Sequence, residues 1–209
     1  MKGLQFKIDG DWAHFKKPET NNNPLSHNLI PKTALIGMIG AVLGIEREKM
    51  KSLFPQLSED LLYGVELLKP VKKASCGFTS HTAINPTAIK SPKAFEMLRD
   101  VSYKVCVGLN GERSQSIFDD FQNAILEGYA VYDPYLGIAN CPAELTFISH
   151  GKFTMMGNGD FKTKGFVIAN EHKLKIVGDD FRIGFDKLPT YQNNDFWNSH
   201  RIASLTNRE

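Results

Sequence analysis

An apolar run that carries three glycines constrains this chain more than any other feature. Thirteen successive residues, Thr33 to Ile45, are uncharged, and Gly37, Gly40 and Gly44 lie among them. As a helix, thirteen residues extend about 20 Å, too short to cross a hydrocarbon core of about 30 Å. The run therefore predicts a buried helix. Glycines three and four apart share one helical face, which favours close packing against another element.

The start of this helix is a candidate phosphate site. Pro31 ends the preceding segment, Thr33 is the predicted N-cap, and Lys32 stands where the first backbone N–H groups point outward. Helix-to-sheet packing alone would also account for the run. The spacing is not Gly-x-Gly-x-x-Gly and no Gly-Lys-Ser follows, which excludes the common nucleotide-binding motifs.

The rest of the composition indicates a folded, cytoplasmic chain. Its 209 residues are 42% hydrophobic, enough for a sizeable core, and the alternating N-terminus lacks the apolar region of a signal peptide. The three cysteines, Cys76, Cys106 and Cys141, are widely spaced with no Cys-x-x-Cys pair. We therefore expect reduced thiols, no metal site and no cofactor.

Positive charge is concentrated in one segment. From Lys69 to Lys104 there are seven cations and two anions, an excess of five, whereas the whole chain has a net charge of +2, so the remainder is −3. This distribution favours a polyanionic partner for the segment, although a solvated loop has the same composition.

Hydrophobic periodicity predicts the order strand, helix, strand, strand, helix, strand, which is the α+β ferredoxin-like arrangement. Leu4 to Ile8 alternates as a strand that Gly10-Asp11 breaks, and Ser58 to Leu62 favours only a helical turn. The remaining predictions are a strand over 63–68, an irregular excursion or extended hairpin over 69–93, a strand over 102–109, a helix from a Ser116/Asp119 capping box to about Leu126, and a strand over 143–149.

Three blocks of this sequence resemble the CRISPR-associated Cas5 family. In family order they are FKIDGDWAHF (6–15), IPKTALIGMIGAVLGI (30–45) and YLGIANCPAE (135–144). The wording of the first block and the Phe-rich region after Gly151 are most similar to type I-B members.

The resemblance implies an RNA-recognition-like domain of the RAMP superfamily over residues 1–150, with a thumb inserted at about 69–95, and a small antiparallel β-rich region over 151–209. It further implies a subunit of the type I Cascade surveillance complex that holds the 5-prime handle of the crRNA and supports target DNA recognition in antiviral defence. The implied protein partners are the backbone subunit of the Cas7 family and the large subunit of the Cas8 family.

Candidate RNA-binding residues combine aromatic groups, cations and hydroxyls. Aromatic and imidazole rings at the end of the first strand suit stacking on splayed bases, although burial is the commoner fate of such rings. Cations and hydroxyls of the basic segment suit phosphates. The full set is Trp12, His14, Lys16, Lys32, Thr33, Lys72, Lys73, His81, Thr82, Lys90 and Tyr135.

A metal-independent endoribonuclease that processes pre-crRNA is the alternative, because type I-C relatives have that activity. It would need a general acid and base near a ribose hydroxyl, for which His14, His81, Lys90 and Tyr103 are the candidates. Their spacing matches no catalytic motif, so we expect a subunit that is not an enzyme.

Overall fold

In the computed structural model, the described residues are 1–20, 23–80, 91–155 and 203–204. The elements in chain order are β1 (Lys2–Ala13), α1 (Lys32–Val42), α2 (Arg47–Asp60), β2 (Leu61–Leu67), β3 (Lys72–Ser80), β4 (Ser91–Leu109), a 3-10 turn (Glu112–Ser114), α3 (Gln115–Glu127), β5 (Glu144–Lys152), β6 (Thr154–Met155) and β7 (Ala203–Ser204).

The main sheet confirms the ferredoxin-like prediction. Its strand order is β2-β4-β1-β5, with β3 added to β4, and every pairing is antiparallel. The helical connections follow the first and third strands of this four-stranded core, as the β-α-β-β-α-β order requires. No helix in the described ranges is long and apolar enough to cross a bilayer.

The core lies between the helices and one face of the sheet. Leu4, Phe6 and Ile8 of β1 are fully buried, and the Phe6 ring meets that of Phe121 in α3 edge to face, with centroids 5.6 Å apart. The predicted alternation along β1 is confirmed, and its apolar side chains face the helices. The paired residues of β4 on the same side, Tyr103, Val105 and Val107, are buried with them.

Several local predictions were wrong. Gly10-Asp11 does not end β1, which continues to Ala13 because β4 pairs with it as far as Leu98. Residues 47–60 form a fourteen-residue helix rather than a single turn. The α3 helix begins at Gln115, so Ser116 is inside it and cannot be its N-cap.

The glycines of α1 have three different environments. A Cβ on Gly37 would meet nothing within 4 Å, whereas one on Gly40 would lie 3.0 Å from the Met50 sulfur. Gly44 lies just beyond the helix with φ +66°, and a Cβ there would lie 2.7 Å from the Val131 side chain. The predicted close approach along one face is thus correct for Gly40 and wrong for Gly37.

The region after residue 150 is described only in part. Strand β6 pairs with β7, and Phe153 packs against Leu62, Met1 and Cys106. The remainder of the expected β-rich region, 156–202 and 205–209, lies outside the described residues.

Candidate nucleic-acid interface

Strand β4 is long enough to belong to two substructures. Its second half pairs with β1 and β2 in the core sheet, and its first half, from Ser91 to Arg99, pairs with β3 in a hairpin; Leu98 and Arg99 pair with both β1 and β3. Asp100 lies between the halves with φ 51°, a positive value that a non-glycine residue rarely adopts. The prediction of an extended hairpin in the basic segment is confirmed where the hairpin is described.

Asp100 forms ion pairs with two lysines at the base of the hairpin. Its carboxylate accepts hydrogen bonds from Lys69 at 2.5 Å and Lys72 at 3.5 Å. The hydrogen bond from Lys69, followed by the charge of that lysine, lowers the pKa of Asp100. The carboxylate therefore stays ionised and holds two ammonium groups where the hairpin leaves the core sheet.

One face of the hairpin presents aromatic rings in succession. Directly paired residues of antiparallel strands lie on the same face, and Cys76 pairs with Phe95 and Phe78 with Lys93. The Phe78 and Phe95 rings meet edge to face at 5.1 Å, and the Phe95 ring lies 5.2 Å from that of His14.

Cations border these rings. Lys72 pairs with Arg99 across the hairpin, and Arg99 pairs with Trp12 across β1 and β4. The Arg99 guanidinium carbon is 5.5 Å from the Trp12 ring centroid, within cation–π range. We call the set Trp12, Lys72, Phe78, Lys93, Phe95 and Arg99 the hairpin face.

The chemistry of the hairpin face suits single-stranded nucleic acid. Phe78 is 40% exposed, so it can stack on a base, while Lys72 and Arg99 are exposed and can contact phosphates. Stacking is tolerant of sequence, and cations beside aromatic rings are the usual composition of such surfaces.

Both faces of the hairpin contact the domain. On the face that carries the rings, Cys76 and Phe95 pack against the core. The opposite face, which we call the anchored face, is held through Glu96. Glu96 accepts hydrogen bonds from the Lys73 ammonium at 2.8 Å and the Ser26 backbone N–H at 3.2 Å. Partial burial alone would raise the pKa of Glu96, but these hydrogen bonds outweigh burial and the pKa is lowered. Lys73, a predicted phosphate ligand, is thus in an ion pair on the anchored face.

Two of the predicted binding residues are enclosed rather than exposed. His14 is 2% exposed and donates from Nδ1 to the Glu96 carbonyl oxygen at 2.9 Å, while its Nε2 has no hydrogen bond within the described chain. Lys32 is fully buried. These positions correct the expectations that His14 stacks on a base and that Lys32 presents its ammonium to a phosphate, since neither side chain reaches the surface.

The remaining predicted residues are dispersed. Pro31, not Thr33, is the N-cap of α1, because the helix begins at Lys32, two residues earlier than a Thr33 cap implies, and Thr33 is half-buried. Lys16 is exposed and Tyr135 is 48% exposed. His81, Thr82 and Lys90 lie outside the described residues.

Burial also encloses two of the four candidate catalytic residues, His14 and Tyr103. Tyr103 is 1% exposed and donates its hydroxyl to the Asn28 carbonyl oxygen at 3.2 Å, and burial raises its pKa. Neither Tyr103 nor His14 can touch a ribose in this conformation. The other two candidates, His81 and Lys90, are not among the described residues.

Sequence reasoning missed Phe78, Lys93, Phe95 and Arg99 as site residues. Lys93 and Arg99 contributed to the local charge excess, yet nothing local to either segment specifies that residues 72–78 face residues 93–99. The available signal was limited to Lys93, Phe95 and Arg99, whose even spacing places them on one face of a strand.

A second feature lies between α1 and the loop that follows α3. Ala34, Gly37, Met38 and Ala41 of α1, with Tyr135 and Gly137, line a groove of about 200 Å³. The loop is fixed by the His14 backbone N–H, which donates to the Leu136 carbonyl oxygen at 3.0 Å.

Comparisons with solved structures give likenesses of fold at low identity. A crystal structure of a CRISPR-associated protein is 16% identical, with 71% of this chain and 69% of that chain covered and a TM-score of 0.43. The protein SMU1763c from Streptococcus mutans is 19% identical over 71% and 69%, with a TM-score of 0.42. A chain of a CRISPR RNA-guided surveillance complex is 19% identical over 66% and 58%, with a TM-score of 0.45.

The comparison with curated proteins finds no match. The family model described as CRISPR-associated protein (Cas_Cas5), in contrast, matches residues 3–160, a range that spans the core sheet, the hairpin and the three sequence blocks. The chain belongs to the CRISPR-associated Cas5 family.

Proposed function

We propose that this protein is the RNA-binding subunit of a type I CRISPR Cascade surveillance complex, similar to type I-B members. In this proposal it caps the 5-prime handle of the crRNA and supports target DNA recognition in antiviral defence. It contacts the Cas7-family backbone subunit and the Cas8-family large subunit. Family membership supports the setting in CRISPR defence.

The hairpin face is the single observation that carries RNA binding. It combines exposed Phe78 with exposed Lys72 and Arg99 on a hairpin that leaves the core sheet. Cations supply the salt-dependent part of the affinity, and rings supply stacking that needs no particular base. Lys16, a further predicted RNA ligand, is also exposed on the segment that follows β1.

Removing the cations tests this assignment. We expect Lys72→Ala/Arg99→Ala to lower the affinity for repeat RNA and to reduce the slope of log affinity against log salt by roughly 1.4, about 0.7 for each phosphate contact with a single strand. Fluorescence anisotropy at several salt concentrations measures both quantities. The charge-matched control is Lys49→Ala/Lys51→Ala, because both lysines are exposed on α2. Equal effects of the two double variants would contradict a specific interface.

The variant Phe78→Ala tests whether the Phe78 ring stacks on an RNA base. We expect a loss of about 1–3 kcal/mol in RNA binding free energy with little change in the salt slope, because the ring carries no charge. An unchanged affinity would remove Phe78 from the interface.

We further propose that the subunit is not an enzyme, since His14 and Tyr103 are enclosed. Incubation of the protein with labelled repeat RNA in EDTA should leave the RNA intact on a denaturing gel. A discrete product at the handle boundary, lost in His81→Ala or His14→Ala, would instead establish the endoribonuclease.

A further inference from the structure

The segment after α3 exposes an unusual number of large side chains. Tyr129 is 60% exposed, Val131 47%, Tyr132 51% and Tyr135 48%. We call these four residues the tyrosine strip. Soluble proteins rarely expose clusters of large aromatic and aliphatic side chains, and such clusters commonly mark interaction surfaces.

The strip is held firmly by α1. The backbone N–H groups of Val131 and Tyr132 donate to the Val42 and Ala41 carbonyl oxygens at 3.0 and 3.1 Å, which satisfies C-terminal acceptors of that helix. The Tyr132 hydroxyl donates to the Glu46 carboxylate at 3.1 Å. A surface ordered before binding loses little conformational entropy when a partner docks.

The groove continues the strip with apolar walls. Tyr135 belongs to both, and the helical wall is made of Met38 and the small residues Ala34, Gly37 and Ala41. A Cβ on Gly37 would meet nothing within 4 Å, so the space above it is open to an incoming side chain.

Charge decides the class of partner. No lysine or arginine lies between Arg113 and Lys152, whereas five acids do: Asp119, Asp120, Glu127, Asp133 and Glu144. Glu127 and Asp133 are exposed next to the strip, and within the described chain neither is paired with a cation. On the α1 side, Arg47 and Lys49 alternate with Glu46 and Glu48, so that connection adds no net charge. A polyanion would be repelled here, whereas a basic protein segment is attracted.

We propose that the tyrosine strip and its groove bind a protein partner through a segment that has an apolar side chain flanked by lysine or arginine. The apolar side chain enters the groove over Gly37, and the cations meet Glu127 and Asp133. The proposal rests on the proposed function, because it assigns a protein-binding role within the same complex to a surface separate from the hairpin face.

Charge reversal at Glu127 and Asp133 distinguishes a protein partner from an RNA partner. The test is copurification of tagged Glu127→Lys/Asp133→Lys with the other protein subunits encoded in the same CRISPR locus and their guide RNA. We expect incorporation to fall about tenfold or more in 0.15 M salt, because the reversal repels a basic segment. Increased RNA affinity with unchanged incorporation would overturn the proposal in favour of a nucleic-acid surface. Unchanged incorporation with unchanged RNA affinity would overturn it as well.

A second variant tests the groove without a change of charge. Gly37→Met should fill the open space, leave the thermal midpoint at or above that of the wild type and reduce incorporation. The matched control is Ile148→Ser, an exposed apolar residue on β5 that is 42% exposed and should leave incorporation unchanged. Full incorporation of Gly37→Met would remove the groove from the interface. If the wild-type chain does not bind guide RNA, the proposed function is refuted. Copurification with the other subunits would still test the tyrosine strip and its groove.

Discussion

At the scale of single residues, Gly137 is the position where backbone and packing both require glycine. Its φ is +90°, and a Cβ there would overlap the His14 carbonyl oxygen. We expect Gly137→Ala to lower the free energy of unfolding by about 3 kcal/mol, because a positive φ and a backbone clash add to each other. Urea denaturation followed by circular dichroism measures the loss.

Gly37→Ala is the matched control, since it makes the same chemical change where a Cβ has open space. It should stabilise the protein by about 0.5–1 kcal/mol, because alanine in a helix interior is preferred over glycine. If Gly137→Ala were as stable as Gly37→Ala, the loop around Gly137 would have to rearrange to accept the Cβ, and the prediction would be wrong.

At the scale of elements, the hairpin is coupled to the domain through the Glu96 carboxylate. Its pKa is lowered from 4.5, so the stabilisation that it contributes is complete above that value and is lost as the pH falls through the folded-state pKa. We expect Glu96→Gln to be less stable than the wild type by about 1 kcal/mol at pH 7, with the difference shrinking below pH 4.5. Thermal denaturation across this pH range provides the comparison.

The control for the hairpin is Glu48→Gln, which removes a carboxylate that is 81% exposed and paired with Lys51 on α2. Such surface pairs contribute little, so its midpoint should stay near that of the wild type at every pH. A Glu96→Gln deficit that persists unchanged at low pH would show that the lost stabilisation does not depend on ionisation.

At the scale of the whole molecule, charge divides the surface into two regions, for which we propose different partners. Strands β3 and β4 of the basic segment pair in the hairpin, and the stretch between Arg113 and Lys152, which has acids but no lysine or arginine, carries the tyrosine strip. The sequence shows this division only in part. It does not show that Lys73 is paired with Glu96 on the anchored face or that Lys32 is buried. The net charge of +2 averages over both regions and hides them.

The sequence by itself determined the order of the core elements, the inward side of β1 and the family. These follow from periodicity and local motifs, which depend on neighbours along the chain. Only the tertiary structure decided that β4 runs for nineteen residues, that Phe78 and Phe95 meet, and that His14 is enclosed. Each of those facts depends on pairing between segments distant in sequence. Alternation fixes which residues share a face of a strand, but pairing fixes what that face meets.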